Sequence, residues 1–131
     1  MCLRDSVTIS KSTAKYRGVM YVNESKAPQT YVTITGNTST TTYGVGGGMY
    51  VYESNATLTH VTISNNTAEE YGGGGIDLVS LNATFTHVTI SNNTAEYCVG
   101  MRTTYSNATL THVTITGNTA GSGGGVCIEL S

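Results

Sequence analysis

The sequence predicts an all-β chain wound as a right-handed, single-stranded parallel β-helix of about five coils, each with three short strands. Three observations carry this. A unit of 25–29 residues repeats along the chain, the composition favours strands and tight turns, and apolar residues recur at the same places in each unit.

The composition comes first. Thr, Val, Ile and Tyr suit strands, whereas Gly, Asn and Ser suit turns. The 131 residues include 16 Gly and 9 Tyr but one Pro and no Trp. Charged residues are 11% of the chain, against roughly a quarter in an ordinary soluble domain. A helical reading fails because β-branched residues are poor helix formers and glycine clusters interrupt every candidate.

The repeat is plainest in three copies: SNATLTHVTISNNTAEEYGGGGIDLV from Ser54, LNATFTHVTISNNTAEYCVGMRTT from Leu81, and SNATLTHVTITGNTAGSGGGVCIEL from Ser106. Two more divergent copies precede them. The anchor valines are Val7, Val32, Val61, Val88 and Val113, spaced by 25, 29, 27 and 25 residues. The approximate repeats are 5–25, 26–53, 54–80, 81–105 and 106–131, within one β-helix segment, 1–131. The length varies between anchor and glycines, where a loop lengthens without moving the strands.

Each unit reads as three β pieces. One follows the glycines: Met20 to Val22, Met49 to Val51, Ile76 to Leu78, Met101 to Thr103 and Val126 to Ile128. Alternation turns the outer pair inward and the middle residue outward. The second piece centres on Leu58, Phe85 or Leu110, with a threonine on either side. The third is Val-Thr-Ile, with inward Val61 and Ile63, Val88 and Ile90, or Val113 and Ile115. The histidine before each of these valines breaks strict alternation, so a bend there is needed for Leu58 and Val61 both to face inward. A sandwich of β-hairpins is the competing fold. It requires alternate strands to reverse, whereas repeats of odd strand number are related more simply by translation. Parallel stacking at about 4.8 Å makes five coils roughly 25 Å tall.

Several columns could carry function. Asn37, Asn66, Asn93 and Asn118 fall in register, and are expected to form a structural column that donates side-chain amides to the next coil and tolerates left-handed turns. The glycines Gly46–Gly48, Gly72–Gly75 and Gly123–Gly125 lack the Lys-Ser or Lys-Thr of a phosphate loop; they are expected to allow tight corners with positive φ and close stacking. Tyr31, His60, His87 and His112 share a column. Their rings lie in a line rather than converging on one point, so a surface bend column is expected and a metal site is not. Cys2, Cys98 and Cys127 have no paired spacing. They are expected as small apolar fillers, with a bridge between Cys98 and Cys127 as the alternative.

No catalytic, cofactor-binding or metal-binding residue is assigned, and no cofactor is expected. Asp77 and Arg102 are one coil apart and are expected to form a surface ion pair. Glu53 lies near the position equivalent to Asp77, with Glu129 close to that column; these are the candidates for an acidic patch. Six basic residues and a net charge of -2 argue against nucleic acid as a partner. No run of 18 apolar residues and no signal peptide are visible. Asn-x-Ser/Thr sequons at Asn23, Asn37, Asn55, Asn65, Asn82, Asn92 and Asn107 follow from a repeat rich in Asn and Thr.

The repeats resemble those of pectin-lyase-like parallel β-helix proteins and, more closely, the short repeats of bacterial polymorphic outer-membrane proteins. Gly74-Gly75-Ile76 and Gly124-Gly125-Val126 resemble the Gly-Gly-aliphatic motif of the latter. Ile63 to Thr67, Ile90 to Thr94 and Ile115 to Thr119 resemble their Phe-x-x-Asn-Thr motif, with Ile in place of Phe. The resemblance implies a secreted or cell-surface location.

The leading functional expectation is a structural or adhesion-type surface scaffold that binds glycan or matrix weakly through a repetitive face. Two alternatives are a polysaccharide lyase or hydrolase fragment, which needs paired carboxylates or acidic residues holding calcium beside a basic catalyst, and an ice- or crystal-binding face. The latter would use the columns Thr57/Thr84/Thr109, Thr59/Thr86/Thr111 and Thr62/Thr89/Thr114. Neither end of the sequence offers an evident cap. A segment of a longer solenoid is therefore expected, with end-to-end self-association through the C-terminal edge.

Overall fold

The computed structural model describes residues 6–15, 19–23, 28–40, 47–53, 55–69, 74–79 and 82–129. Cys2, Gly46, Ser54, Gly72, Gly73 and Leu81, which entered the expectations above, lie outside the described residues.

The chain is a right-handed parallel β-helix with three strands per coil. All described strand pairings are parallel, which excludes the hairpin sandwich. The first face stacks β1 (Val7–Ser10), β5 (Val32–Thr35), β8 (Ala56–Ser64), β11 (Asn82–Ser91) and β14 (Asn107–Thr116), and β4 (Gln29–Thr30) joins it beside β8. The second stacks β2 (Thr13–Ala14), β6 (Thr38–Ser39), β9 (Thr67–Ala68), β12 (Thr94–Tyr97) and β15 (Thr119–Ser122). The third stacks β3 (Met20–Asn23), β7 (Met49–Tyr52), β10 (Ile76–Val79), β13 (Met101–Thr104) and β16 (Val126–Glu129).

Two strand assignments differ from the expectation. The Leu58 and Val-Thr-Ile pieces are one bent strand rather than two: β8 and β11 run through both. The third strand of each coil is instead the short stretch after the asparagine, such as Thr67–Ala68. Two residues are too few to show a period of two, so sequence pattern passes over them.

The bend and several corners are made by residues in the left-handed region. Tyr31, His60, His87 and His112 have φ between 51° and 56°. A single left-handed residue resets the alternation of the pleat, so Leu58 and Val61 both point inward although three residues apart. Lys11, Gly36, Asn65, Asn92 and Gly117 make the next corner with φ from 51° to 65°. The left-handed residue is therefore Asn65 or Asn92, not the neighbouring Asn66 or Asn93. Among the described glycines of the runs, Gly123 alone has positive φ. Gly75 serves close approach instead: a Cβ there would lie 2.5 Å from Ile90 Cγ2 and 2.6 Å from the Gly100 carbonyl of the next coil.

The core is a set of stacked columns. Anchor residues pair in register, as in Val61 with Val88 and Val88 with Val113. Leu58, Phe85, Ile63, Ile90, Ile76 and Leu78 are wholly buried. Leu110 stacks over Phe85 in register. It was expected in the core, but it is 43% exposed because no described coil lies beyond it. Val113 and Ile115 are partly buried for the same reason.

Candidate functional site

The asparagine column is an interior polar ladder. Asn66 donates its backbone N–H and its side-chain Nδ2–H to Asn93 Oδ1, at 2.9 and 3.1 Å. Its other Nδ2 proton goes to the Ile34 carbonyl of the preceding coil at 3.0 Å. Asn37 and Asn93 repeat this pattern toward Asn66 and Asn118. Ser12, in the first coil, donates only its backbone N–H to Asn37 Oδ1. Asn37, Asn66 and Asn93 are buried, so these bonds satisfy amides that would otherwise be costly to desolvate.

The outward side of the first face carries the threonine columns and the ring column. Thr57, Thr84 and Thr109 are in register, as are Thr59, Thr86 and Thr111, and Thr62, Thr89 and Thr114. The rings of Tyr31, His60, His87 and His112 stack between the second and third of these columns, with centroids 4.9, 4.9 and 4.8 Å apart and planes within 9° of parallel. Among the described residues no group of three or more His, Cys, Asp or Glu side chains is placed to hold a metal ion.

The third face departs from the repeat. Its outward column reads Tyr21, Tyr50, Asp77, Arg102 and Cys127. Tyr21 and Tyr50 stack with centroids 5.4 Å apart. Arg102 grips Asp77 through two bonds, Nε to Oδ1 at 3.0 Å and the terminal nitrogen to Oδ2 at 2.8 Å. This is not the surface pair expected from alternation, because the Asp77 side chain is fully buried and that of Arg102 only 20% exposed. Burial pushes the Asp77 carboxyl above the usual carboxylate range, and the guanidinium beside it pulls it part of the way back. Burial works against the charge on Arg102, but the Asp77 carboxylate more than offsets this and holds its pKa above the usual value.

The expected acidic patch is not a single column, although the Glu129 charge is near enough to push the Asp77 pKa further up. Asp77 is in register with Tyr50, Glu129 with Thr104, and Glu53 follows Tyr52 at a left-handed corner. The three carboxylates thus occupy different columns.

The cysteines also differ from expectation. Cys98 and Cys127 form a disulfide, with Cα atoms 5.5 Å apart. Cys98 sits at a left-handed corner of the fourth coil and Cys127 on the third face of the fifth. Their sequence separation of 29 exceeds the local repeat of 25, so repeat spacing alone does not put them together. Coil stacking does.

Residues 3–131 match the family model described as the right handed beta helix region, and the chain belongs to that family. A search of curated proteins found no match. A search of solved structures found none either.

Proposed function

We propose that this β-helix is a structural or adhesion-type scaffold of a secreted or cell-surface protein, binding extended ligands such as glycan or matrix weakly through its first face. The carrying observation is the in-register display on that face of the Thr columns and of the single ring column Tyr31, His60, His87 and His112. A ligand with its own repeat can make the same weak contact at each coil, and linked weak contacts gain avidity. The Cys98–Cys127 disulfide supports an oxidising compartment. The resemblance to polymorphic outer-membrane repeats supports a surface location. The separation of Asp77, Glu53 and Glu129 into different columns weighs against the paired carboxylates of a hydrolase.

The test is a glycan and polysaccharide array run beside a turnover assay. Binding without product, weakened by Thr84→Lys and Thr86→Lys together, is expected. Product formation, or binding untouched by those substitutions, overturns the reading.

A second reading is favoured by one observation. The pairs Thr57/Thr59, Thr84/Thr86 and Thr109/Thr111 form a rigid grid on three successive strands, a geometry suited to a crystalline surface such as ice. The stacked histidines bordering the grid work against flatness. Ice-recrystallisation inhibition abolished by Thr84→Lys would favour this reading over the first.

A further inference from the structure

The first face carries no fixed charge. Among the described residues, none of its strands, β1, β4, β5, β8, β11 and β14, contains an Asp, Glu, Lys or Arg. Its histidines are the groups that can change this. His60, His87 and His112 are exposed and stand in one line along the helix axis, one per coil. The rings lie face to face, 4.9 and 4.8 Å apart, so each covers its neighbour and the ring edges meet solvent. The edge is where an imidazole carries its nitrogens. Tyr31 closes one end of the line, stacked on His60.

The bend at this column does not require histidine. Tyr31 makes the same left-handed turn at φ 56°, beside 53°, 52° and 51° for the three histidines. What histidine adds is a positive charge that appears between about pH 8 and pH 5. On acidification the neutral face therefore gains a row of cations at coil spacing. No carboxylate on the face offsets them. The strands packed on β11 are β8 and β14, whose titratable groups are His60 and His112; β4 and β5 bring the phenol of Tyr31 to β8. The described charges nearest these strands in the chain, Lys11 and Glu53, sit at corners outside them. Neighbouring imidazoliums repel one another. A row of anions laid along the column relieves that repulsion and accepts charge-assisted hydrogen bonds from the ring edges. By linkage, a ligand that favours the protonated rings binds more tightly as pH falls.

We propose that the column His60, His87 and His112 is an acid-switched capture site for a sulfated glycan, which lies along the helix axis with its sulfates distributed over the three rings. Sulfate is the anion that the chemistry favours. Its ester stays ionised throughout the range in which histidine gains charge, whereas a carboxylate begins to neutralise toward about pH 4. A chain bearing many sulfates meets the whole row, and linked contacts gain avidity over a single small anion. The inference concerns the charge that the column gains, and stands apart from the scaffold reading of the same face.

The experiment compares dextran sulfate with unmodified dextran, which differ in the sulfates alone. Binding to the full chain is measured at about pH 7.5 and about pH 5.5, on either side of the ordinary histidine titration. Dextran sulfate is expected to bind about tenfold more tightly at the lower pH, the scale of one charge-assisted contact, and to lose that gain in high salt. Unmodified dextran is expected to show no gain. A triple variant, His60→Tyr with His87→Tyr and His112→Tyr, keeps the bend and the ring stack as Tyr31 does on His60, but gains no positive charge. Its acid gain is expected to vanish. Circular dichroism at both pH values checks that it is folded; should it not fold, the triple His→Asn variant, which also tolerates the left-handed turn, takes its place with the same expectation. Equal dextran sulfate affinity at the two pH values overturns the proposal. So does a gain that survives the triple variant, which would assign it to carboxylates elsewhere, and so does an equal gain for unmodified dextran. Glycan-array binding near neutral pH with no acid gain for dextran sulfate overturns this proposal and spares the scaffold reading.

Discussion

Residues 55–63 and 107–115 are identical in sequence, NATLTHVTI, and both lie on the first face. Leu58 in the first is fully buried, while Leu110 in the second is 43% exposed. Backbone conformation does not separate them: His60 and His112 both turn through the left-handed region, at φ 53° and 51°. The difference is the coil above. β8 is covered by β11, whereas β14 is the last strand of its sheet. In a solenoid, burial belongs to a residue's place in the stack as much as to its side chain.

The sharpest break of this comparison lies in the core column. Phe85→Ala removes a wholly buried ring and should cost about 3–5 kcal/mol, while Leu110→Ala at the open end should cost under about 1 kcal/mol. Denaturant unfolding of both variants measures the contrast, and equal losses would show that position in the stack does not govern stability.

Arg102→Met should come next, at roughly 3 kcal/mol near neutral pH, because it strands the buried Asp77 carboxylate. The pH dependence has a definite sign. The Asp77 pKa is raised on folding, so the folded chain holds that proton more tightly than the unfolded one. Its contribution is present in full below the unfolded carboxylate value and is lost as pH rises through the folded one. Without Arg102 the pKa rises further. The deficit of Arg102→Met should therefore shrink on acidification through the raised Asp77 pKa toward about 4. A deficit that grows with acid would contradict the burial argument.

The polar ladder repeats the contrast between interior and end. Asn66→Ala deprives Asn37 of its acceptor and Ile34 O of its donor inside the stack, a loss of roughly 2–3 kcal/mol. Asn118→Ala, at the partly buried end of the ladder, should cost about 1 kcal/mol, with the difference visible as a shift in denaturation midpoint.

The disulfide acts where the stack is weakest. Replacing Cys98 and Cys127 by Ala should release about 2–3 kcal/mol of loop-closure stabilisation. Hydrogen exchange should locate the loss in β15 and β16 and leave β8 protected. A uniform loss would mean that the bridge stabilises the whole stack.

The smallest effect should have the opposite sign. Ser39 occupies the column of Ala14, Ala68, Ala95 and Ala120, and its buried Oγ finds no hydrogen-bond partner among the described residues. Ser39→Ala should stabilise the chain by up to about 1 kcal/mol. Destabilisation would mean that the hydroxyl has a partner.

The sequence by itself determined the architecture. Repeating the same apolar pattern five times fixes the register, because a slip by one residue would turn every Val and Ile outward. The anchors, the Thr columns, the bend at the histidines and the stacked asparagines are all written in spacing. The two-residue strands of the second face were not legible, since Thr67–Ala68 has no period to read. Tertiary structure alone decided three further matters. It brought Cys98 to Cys127 across a corner, a separation that differs from the repeat length. It buried Asp77 at a position that alternation marks as outward, and placed Glu53 and Glu129 in columns apart from it. It also exposed Leu110 while burying Leu58, two identical residues in identical contexts. Periodicity specifies which face of its own strand a side chain takes. What lies above that face and across the corner depends on contacts between coils, which residues 25 or more positions away supply.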